Sequence, residues 1–217
     1  YLTYTPQYEA GIVEVFKTIY ESGAIYRGRK PIHWCTRCHT ALAEAEIEYS
    51  DEVSPSIHVA LELITPLAPF ASASDLPQAL LIWTTTPWTL PANVAVAVSP
   101  EAVYVGMQHE GRLLVVAREL VAAVASALGI EDPELALDGE GNPVEISGED
   151  LLEAEYRRPI FPENTGVVIG GEHVELGVGT GLVHTAPGHG DEDYLVATRE
   201  GLEILMPVDD NGVFTAG

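Results

Sequence analysis

From residue 57 onward short apolar stretches with the period of strands dominate the chain. In "IHVALEL", Ile57, Val59, Leu61 and Leu63 alternate with His58, Ala60 and Glu62, and "NVAVAV" repeats the period with Val94, Val96 and Val98. "ALLIW" is a short apolar run suited to a strand buried on both sides. "VYVGMQHEGRLLVVA" predicts a hairpin whose turn centres on Glu110 and Gly111. A helix is predicted over "RELVAAVASALG", closed by Gly129, and another over "DEDYLVATREG", with acids in its first turn and Gly201 at its end. Between them, "ELALDGEGNPVEISGEDLLEAEY" mixes turns with short elements, and "GVVIGGEHVELGVGTGLVHTAP" reads as two or three strands. The texture changes near residue 50. Before it, "PQYEAGIVEVFKTIYESG" has Ile12, Val15, Phe16, Ile19 and Tyr20 at helical spacing and stops at Gly23. Many short strands with few helices predict an α+β fold, mainly β: a closed or nearly closed β-barrel with flanking helices.

Composition narrows the function classes. A chain of 217 residues with 47% hydrophobic content can bury a sizeable core. No run of about 18 apolar residues occurs, and "YLTYTPQYEAG" has neither a basic region nor a following apolar segment, so the expectation is a cytoplasmic protein with no membrane partner. A net charge of −23, with only 10 basic residues, argues against a long electrostatic footprint on nucleic acid. Any RNA contact must be local. Arg27, Arg29, Lys30 and Arg37 crowd around two cysteines, and Arg157 and Arg158 form a second basic pair.

The common chemical signatures are missing. "GVGTG" lacks the third glycine of a dinucleotide fingerprint, and the chain has no phosphate-loop "GK[ST]", no "HExxH" and no "GxSxG". "WCTRC" supplies Cys35 and Cys38, half of a zinc site, because tetrahedral coordination needs two further ligands and neither His33 nor His39 stands at a convincing spacing. Two stretches remain that core packing alone does not explain. "WTTTPWTLPAN", residues 83–93, packs four threonines and two tryptophans with two prolines and no charge. "GTGLVHTAPGHGDEDY", residues 179–194, combines glycines, two histidines around an "APG" turn and an acidic helix start. Taken singly, the threonines could be ordinary strand-end residues and the acids a first turn that complements the helix dipole.

With "YLTYTPQYEA…GAIYRGRKPIHWCTRCHTALAEAEIEY" before them and "PVDDNGVF" after, these stretches make the chain resemble the editing insertion of a bacterial-type isoleucyl-tRNA synthetase, over nearly its whole length and in the family's order. The resemblance implies a β-barrel editing domain over residues 51–217, with residues 1–50 as a connector from the catalytic domain that carries half of a zinc module. It implies hydrolysis of valine esterified to the 3′ end of isoleucine tRNA, or of valyl adenylate. A site that selects isoleucine by size rejects valine weakly, since one methylene is worth about 1–3 kcal/mol; this family is the standard illustration of that limit, and the figure is not read from this chain. The alternative is a non-catalytic module that binds the aminoacylated tRNA 3′ end. A free-standing hydrolase would have no evident use for "RKPIHWCTRC".

The resemblance also implies roles. Asp193, last of "HGDED", pairs with the substrate ammonium. Thr84, Thr85 and Thr86 present hydroxyl and backbone groups to the ester, the terminal adenosine and the attacking water. Trp88 forms an apolar wall, Asn93 holds polar parts of the ligand or the loop, and His184 lines the amino acid pocket and helps exclude isoleucine. No residue stands out as a general base, so water activation is expected to rest on positioning and a ribose hydroxyl of the substrate. The implied partners are tRNA(Ile) carrying valine and the remainder of the synthetase in cis, with the fragment itself a monomer. Editing needs no cofactor, and zinc belongs to the full-length enzyme, whose other cysteines lie downstream.

Overall fold

The computed structural model describes residues 2–215 and divides into two compact units, Tyr1–Lys30 and Pro31–Gly217. The first contains helix α1, Pro6–Glu21, which starts on a proline that needs no N–H partner and ends where Ser22 N–H returns to Thr18 O. Gly23 comes next at φ 77°. The predicted helix therefore forms. Its apolar stripe, Ile12, Val15, Phe16, Ile19 and Tyr20, is nevertheless exposed, and no residue of α1 is buried.

In the second unit a hairpin comes first, β1 (Trp34–Cys35) against β2 (Thr40–Ala41). Next are β3 (Ile57–Glu62), the short helix α2 (Ala68–Ala73) and β4 (Gln78–Thr84). β5 (Ala95–Val98), β6 (Val103–His109), β7 (Arg112–Ala117), α3 (Val121–Leu128) and β8 (Glu145–Ser147) make up the middle. β9 (Glu155–Arg157), β10 (Thr165–Gly170), β11 (Leu182–Thr185) and α4 (Asp191–Arg199) complete it. The hairpin turn falls where the alternation puts it: Glu110 at φ 47° and Gly111 at φ 75° give the left-handed pair that suits the twist of β6 and β7. Gly129 closes α3 in the same left-handed region. The β1–β2 hairpin and α2 were not foreseen.

The strands hydrogen-bond into two larger sheets, ordered β3-β4-β7-β6-β8 and β11-β5-β10-β9. Each is antiparallel except for one parallel pair, β4 with β7 and β5 with β10. The fold is thus of mixed sheets with flanking helices, as expected, but the continuous ring of a barrel is replaced by two sheets. They meet at one isolated bridge, Leu63 to Tyr156, and at loop bonds such as Ala117 N–H to Thr180 O, 2.9 Å. The two sheets enclose one core, in which Leu80, Ile82, Tyr104 and Leu113 of the first meet Val96, Val98, Tyr156, Val168 and Leu182 of the second. Strand β5 is buried on both faces: Val96 and Val98 point into that core, while Ala95 and Ala97 join a second cluster with Ile169 and Val196 of α4. Tyr104 fastens the two sheets, its hydroxyl accepting from Ser99 N–H at 3.0 Å and donating to Gly181 O at 2.8 Å. At Gly106 any side chain would press on the Leu113 isobutyl group across the hairpin.

Candidate hydrolytic site

A cavity of about 470 Å³ opens where the end of β4, the segment preceding and including β11, and the first turn of α4 converge. Thr84 is the last residue of β4, and the 3-10 turn Pro87–Ala92, stiffened by a proline near each end, holds the backbone beyond it. Thr84 Oγ1 accepts the Thr86 N–H at 3.1 Å and lies 3.2 Å from Thr86 Oγ1. Thr89, three residues on and so on the same side of a three-fold turn, donates its hydroxyl to Thr86 O at 2.9 Å. Thr84, Thr86 and Thr89 form a row of hydroxyls because the first and last are tied to the Thr86 backbone and Thr86 Oγ1 lies between them, 3.2 Å and 3.5 Å away.

His184 comes from β11, where it pairs with Val96. Its Nδ1 lies 2.8 Å from Asn93 Nδ2, and its Nε2 lies 2.9 Å from Thr89 Oγ1. Burial, then the positive charge His189 can carry, push the imidazole down to about pH 4, so it is neutral at physiological pH. It lines the cavity as a neutral polar group. Asp193, in the first turn of α4, accepts the Ala186 N–H on Oδ2 at 2.8 Å. Burial raises its carboxyl above the usual range, opposed by that N–H and by His173 and His189. A half-buried carboxylate facing a cavity that Glu175 and Glu192 also line, with the threonine hydroxyls opposite, suits a cation.

Of the residues singled out from sequence, Thr84, Thr85, Thr86, His184 and Asp193 line this one cavity. Thr85 is exposed, and its carbonyl accepts the Ser54 hydroxyl at 2.8 Å. Trp88 does not line it: the turn that brings Thr89 inward rotates Trp88 outward, leaving it 52% exposed. Asn93 is also absent from the lining; only 1% exposed, it stands behind the wall and braces His184. Sequence reasoning passed over Thr89, His173 and His189 as site residues. All three line the cavity, and the Nε2 atoms of both histidines are buried with no partner. The period of three from Thr86 to Thr89 was the available signal for the first.

Cys35 and Cys38 sit in the β1–β2 hairpin, with the Cys38 N–H donated to Cys35 Sγ at 3.3 Å. Backbone N–H groups of Cys38 and Arg37 lower the Cys35 thiol, while the hydrogen bond and charge of Cys35 raise Cys38. That knuckle fits half of a zinc site. Among the described residues no group of three or more His, Cys, Asp or Glu could hold a metal ion. Of the basic pairs, Arg158 is engaged within the protein, bonding Glu203 at 2.7 Å and Thr165 O at 2.8 Å. No helix among the described residues is long and apolar enough to cross a membrane.

Residues 1–188 match the family described as tRNA synthetases class I (I, L, M and V), a span that includes the threonine row and His184. The chain belongs to the class I tRNA synthetases. Within that family it is 44% identical over 216 residues to the isoleucine–tRNA ligase of Desulforamulus reducens, covering 100% of this chain and 22% of that protein. With the isoleucine–tRNA ligase of Enterococcus faecalis the identity is 45% over 215 residues, 99% of this chain and again 22% of the relative. The chain thus spans about a fifth of these class I synthetases. Its fold is similar to that of the P. falciparum cytosolic leucyl-tRNA synthetase editing domain, with a TM-score of 0.53 and 12% identity over 67% of this chain and 66% of that one. The resemblance to the editing insertion of an isoleucyl-tRNA synthetase holds in sequence and in fold.

Proposed function

We propose that this chain is the hydrolytic editing module of an isoleucyl-tRNA synthetase, removing valine from tRNA(Ile) or from valyl adenylate. The observation that carries the reading is the convergence of a neutral hydroxyl row, the neutral imidazole of His184 and the half-buried Asp193 carboxylate on a single cavity, from segments about a hundred residues apart. The substrate's ammonium is matched by Asp193; its ester and ribose by the Thr84, Thr85 and Thr86 hydroxyls; its small side chain by the His184 wall. Water attacks the carbonyl carbon; in the tRNA ester the bond to the ribose oxygen breaks and that oxygen takes the proton, and in the adenylate the bond to the phosphate oxygen breaks, the nucleotide leaves as the phosphate anion and the proton goes to solvent. The chain's contribution is orientation: the acid anchors one end of the substrate, and the threonines hold the water and the carbonyl within reach. A neutral His184 adds steric exclusion without competing for the ammonium site. No cofactor enters these steps.

In the same reading, residues 1–50 connect to the catalytic body of the synthetase and residues 51–217 carry the hydrolytic site, with the tRNA 3′ end and the rest of the enzyme in cis as partners. The test is release of labelled valine from valyl-tRNA(Ile), alongside filter binding on the same preparation. Valine release with little release of isoleucine from isoleucyl-tRNA(Ile) supports the proposal. Binding of the acylated tRNA without any release would make the chain the non-catalytic binding module instead.

A further inference from the structure

We propose that Tyr156, which does not touch the cavity, sets its chemistry by fixing the orientation of the Asn93 amide and, through it, the tautomer of His184. The functional half of this inference rests on the editing reading; the tautomer half does not. Tyr156 is the central residue of β9 and fully buried. Its hydroxyl donates to Asn93 Oδ1 at 2.6 Å. Burial holds the phenol far above its ordinary range, so it remains a donor wherever the protein is folded.

With Oδ1 committed as an acceptor, both protons of Asn93 Nδ2 have defined targets. One goes to Ala95 O at 3.0 Å, the other to His184 Nδ1 at 2.8 Å. A flipped amide would set two acceptors, Oδ1 and the Ala95 carbonyl, against each other in a buried site. Because Nδ1 receives a proton, neutral His184 must carry its own on Nε2. That N–H is donated to Thr89 Oγ1 at 2.9 Å, and the Thr89 proton passes to Thr86 O at 2.9 Å. Donors therefore run in one direction from Tyr156 to the lip of the threonine row. In the other tautomer Nε2 would be an acceptor, Thr89 would turn its hydroxyl toward it, and Thr86 O would keep only the Thr89 N–H, 3.0 Å away.

Position 166 completes the device. Gly166 of β10 lies directly opposite Tyr156 in the sheet register. A methyl group there would collide with the phenol ring and its hydroxyl. The glycine leaves the ring room to lie flat across β10 and reach Asn93. Tyr156 and Gly166 are thus positioning residues acting through Asn93, and His184 is the group that meets the substrate.

The experiment uses the 217-residue chain with 15N-labelled histidine, as wild type, Tyr156→Phe and Gly166→Ala. Two-bond nitrogen–proton correlation spectra identify which ring nitrogen of His184 carries the proton, and deacylation of valyl- and isoleucyl-tRNA(Ile) is measured in parallel. Wild type should show a single tautomer protonated at Nε2. Tyr156→Phe should show both tautomers, with the ratio of isoleucyl- to valyl-tRNA hydrolysis raised about tenfold, as expected when a buried acceptor loses its donor and the His184 wall is no longer held in one state. Gly166→Ala should move both readouts the same way. A wild-type proton on Nδ1, which needs no variant to detect, overturns the inference, as does a folded Tyr156→Phe that keeps the pure Nε2 tautomer. A shifted tautomer with an unchanged hydrolysis ratio overturns the claim that Tyr156 governs the site. Absence of hydrolysis in wild type overturns the editing reading while leaving the tautomer assignment to stand or fall on its own spectra.

Discussion

Replacing Asp193 with asparagine removes a charge and little else. The Ala186 N–H, 2.8 Å from Oδ2, can still be accepted by the amide oxygen, so the first turn of α4 keeps its tie to the segment after β11. Under the proposed function the partner of the substrate ammonium disappears. A fully desolvated charged hydrogen bond is worth about 2–5 kcal/mol, which lowers kcat/KM by about 30-fold to a few thousand-fold. The assay is release of labelled valine from valyl-tRNA(Ile), with circular dichroism to confirm folding. Stability should move the other way. Burial raises the Asp193 carboxyl above its ordinary 3.8, so the folded state binds that proton more tightly than the unfolded state. Stability then falls as pH rises from 3.8 to the raised value, and the full penalty persists above it. Asparagine carries no such penalty, so at neutral pH Asp193→Asn should melt at or above the wild-type temperature, the difference closing below pH 3.8. N-acetylvalyl-tRNA, which lacks the cation, should be a poor substrate for wild type and no poorer for the variant. Near-normal kcat/KM in Asp193→Asn, or an equal loss in the exposed control Asp191→Asn, would refute the charge pairing.

Further outcomes can be checked independently. His184→Ala should let isoleucyl-tRNA be hydrolysed while valyl-tRNA hydrolysis largely persists; an unchanged ratio of the two rates removes His184 from the pocket wall. Because His184 is depressed from 6.5 to about 4 in the folded state, stability present above pH 6.5 should be lost on acidification toward pH 4. The loss should be about 3 kcal/mol more than in His184→Gln, measured by urea melts across that range. Glu110→Asn, which suits a left-handed first turn position better than glutamate, should stabilise the β6–β7 hairpin by about 0.5–1 kcal/mol in thermal melts. A chain dialysed against chelator should hold well under one zinc per molecule by metal analysis, since Cys35 and Cys38 give two of four ligands; stoichiometric zinc would show that other residues complete the set.

Much of the architecture was legible because it rests on local rules. The β6–β7 turn at Glu110 and Gly111, the stop of α3 at Gly129 and the acidic start of α4 each derive from backbone conformation or dipole arguments that need no tertiary partner. The two-sheet arrangement was not, because the parallel pairings of β4 with β7 and β5 with β10 join strands distant in sequence, and alternation does not say which neighbours pair. α2 was hidden because only Phe70 is buried in it, one apolar contact with no period to read. In the site, residue type located the hydroxyl row, His184 and Asp193. Trp88 stands outside the cavity lining because adjacent residues of a tight turn face opposite ways, and which of Trp88 and Thr89 points inward depends on the register of the turn against β11. Tyr156 carried no signal: it reads as a core aromatic until the distance to Asn93 is known.

The bond between Thr89 and His184 joins residues 95 positions apart, and β11 and β10 pair with opposite edges of β5. Such non-local pairings carry a loop-closure penalty before they return any contact energy, and they are made late in folding. During synthesis the first sheet can assemble while the threonine row still faces nothing. The cavity is therefore the last part of the molecule to acquire its form, and pulse-labelled hydrogen exchange should find the amides of β11 protected after those of β6 and β7. A chain interrupted before residue 182 would keep most of its hydrophobic interior and possess no site at all.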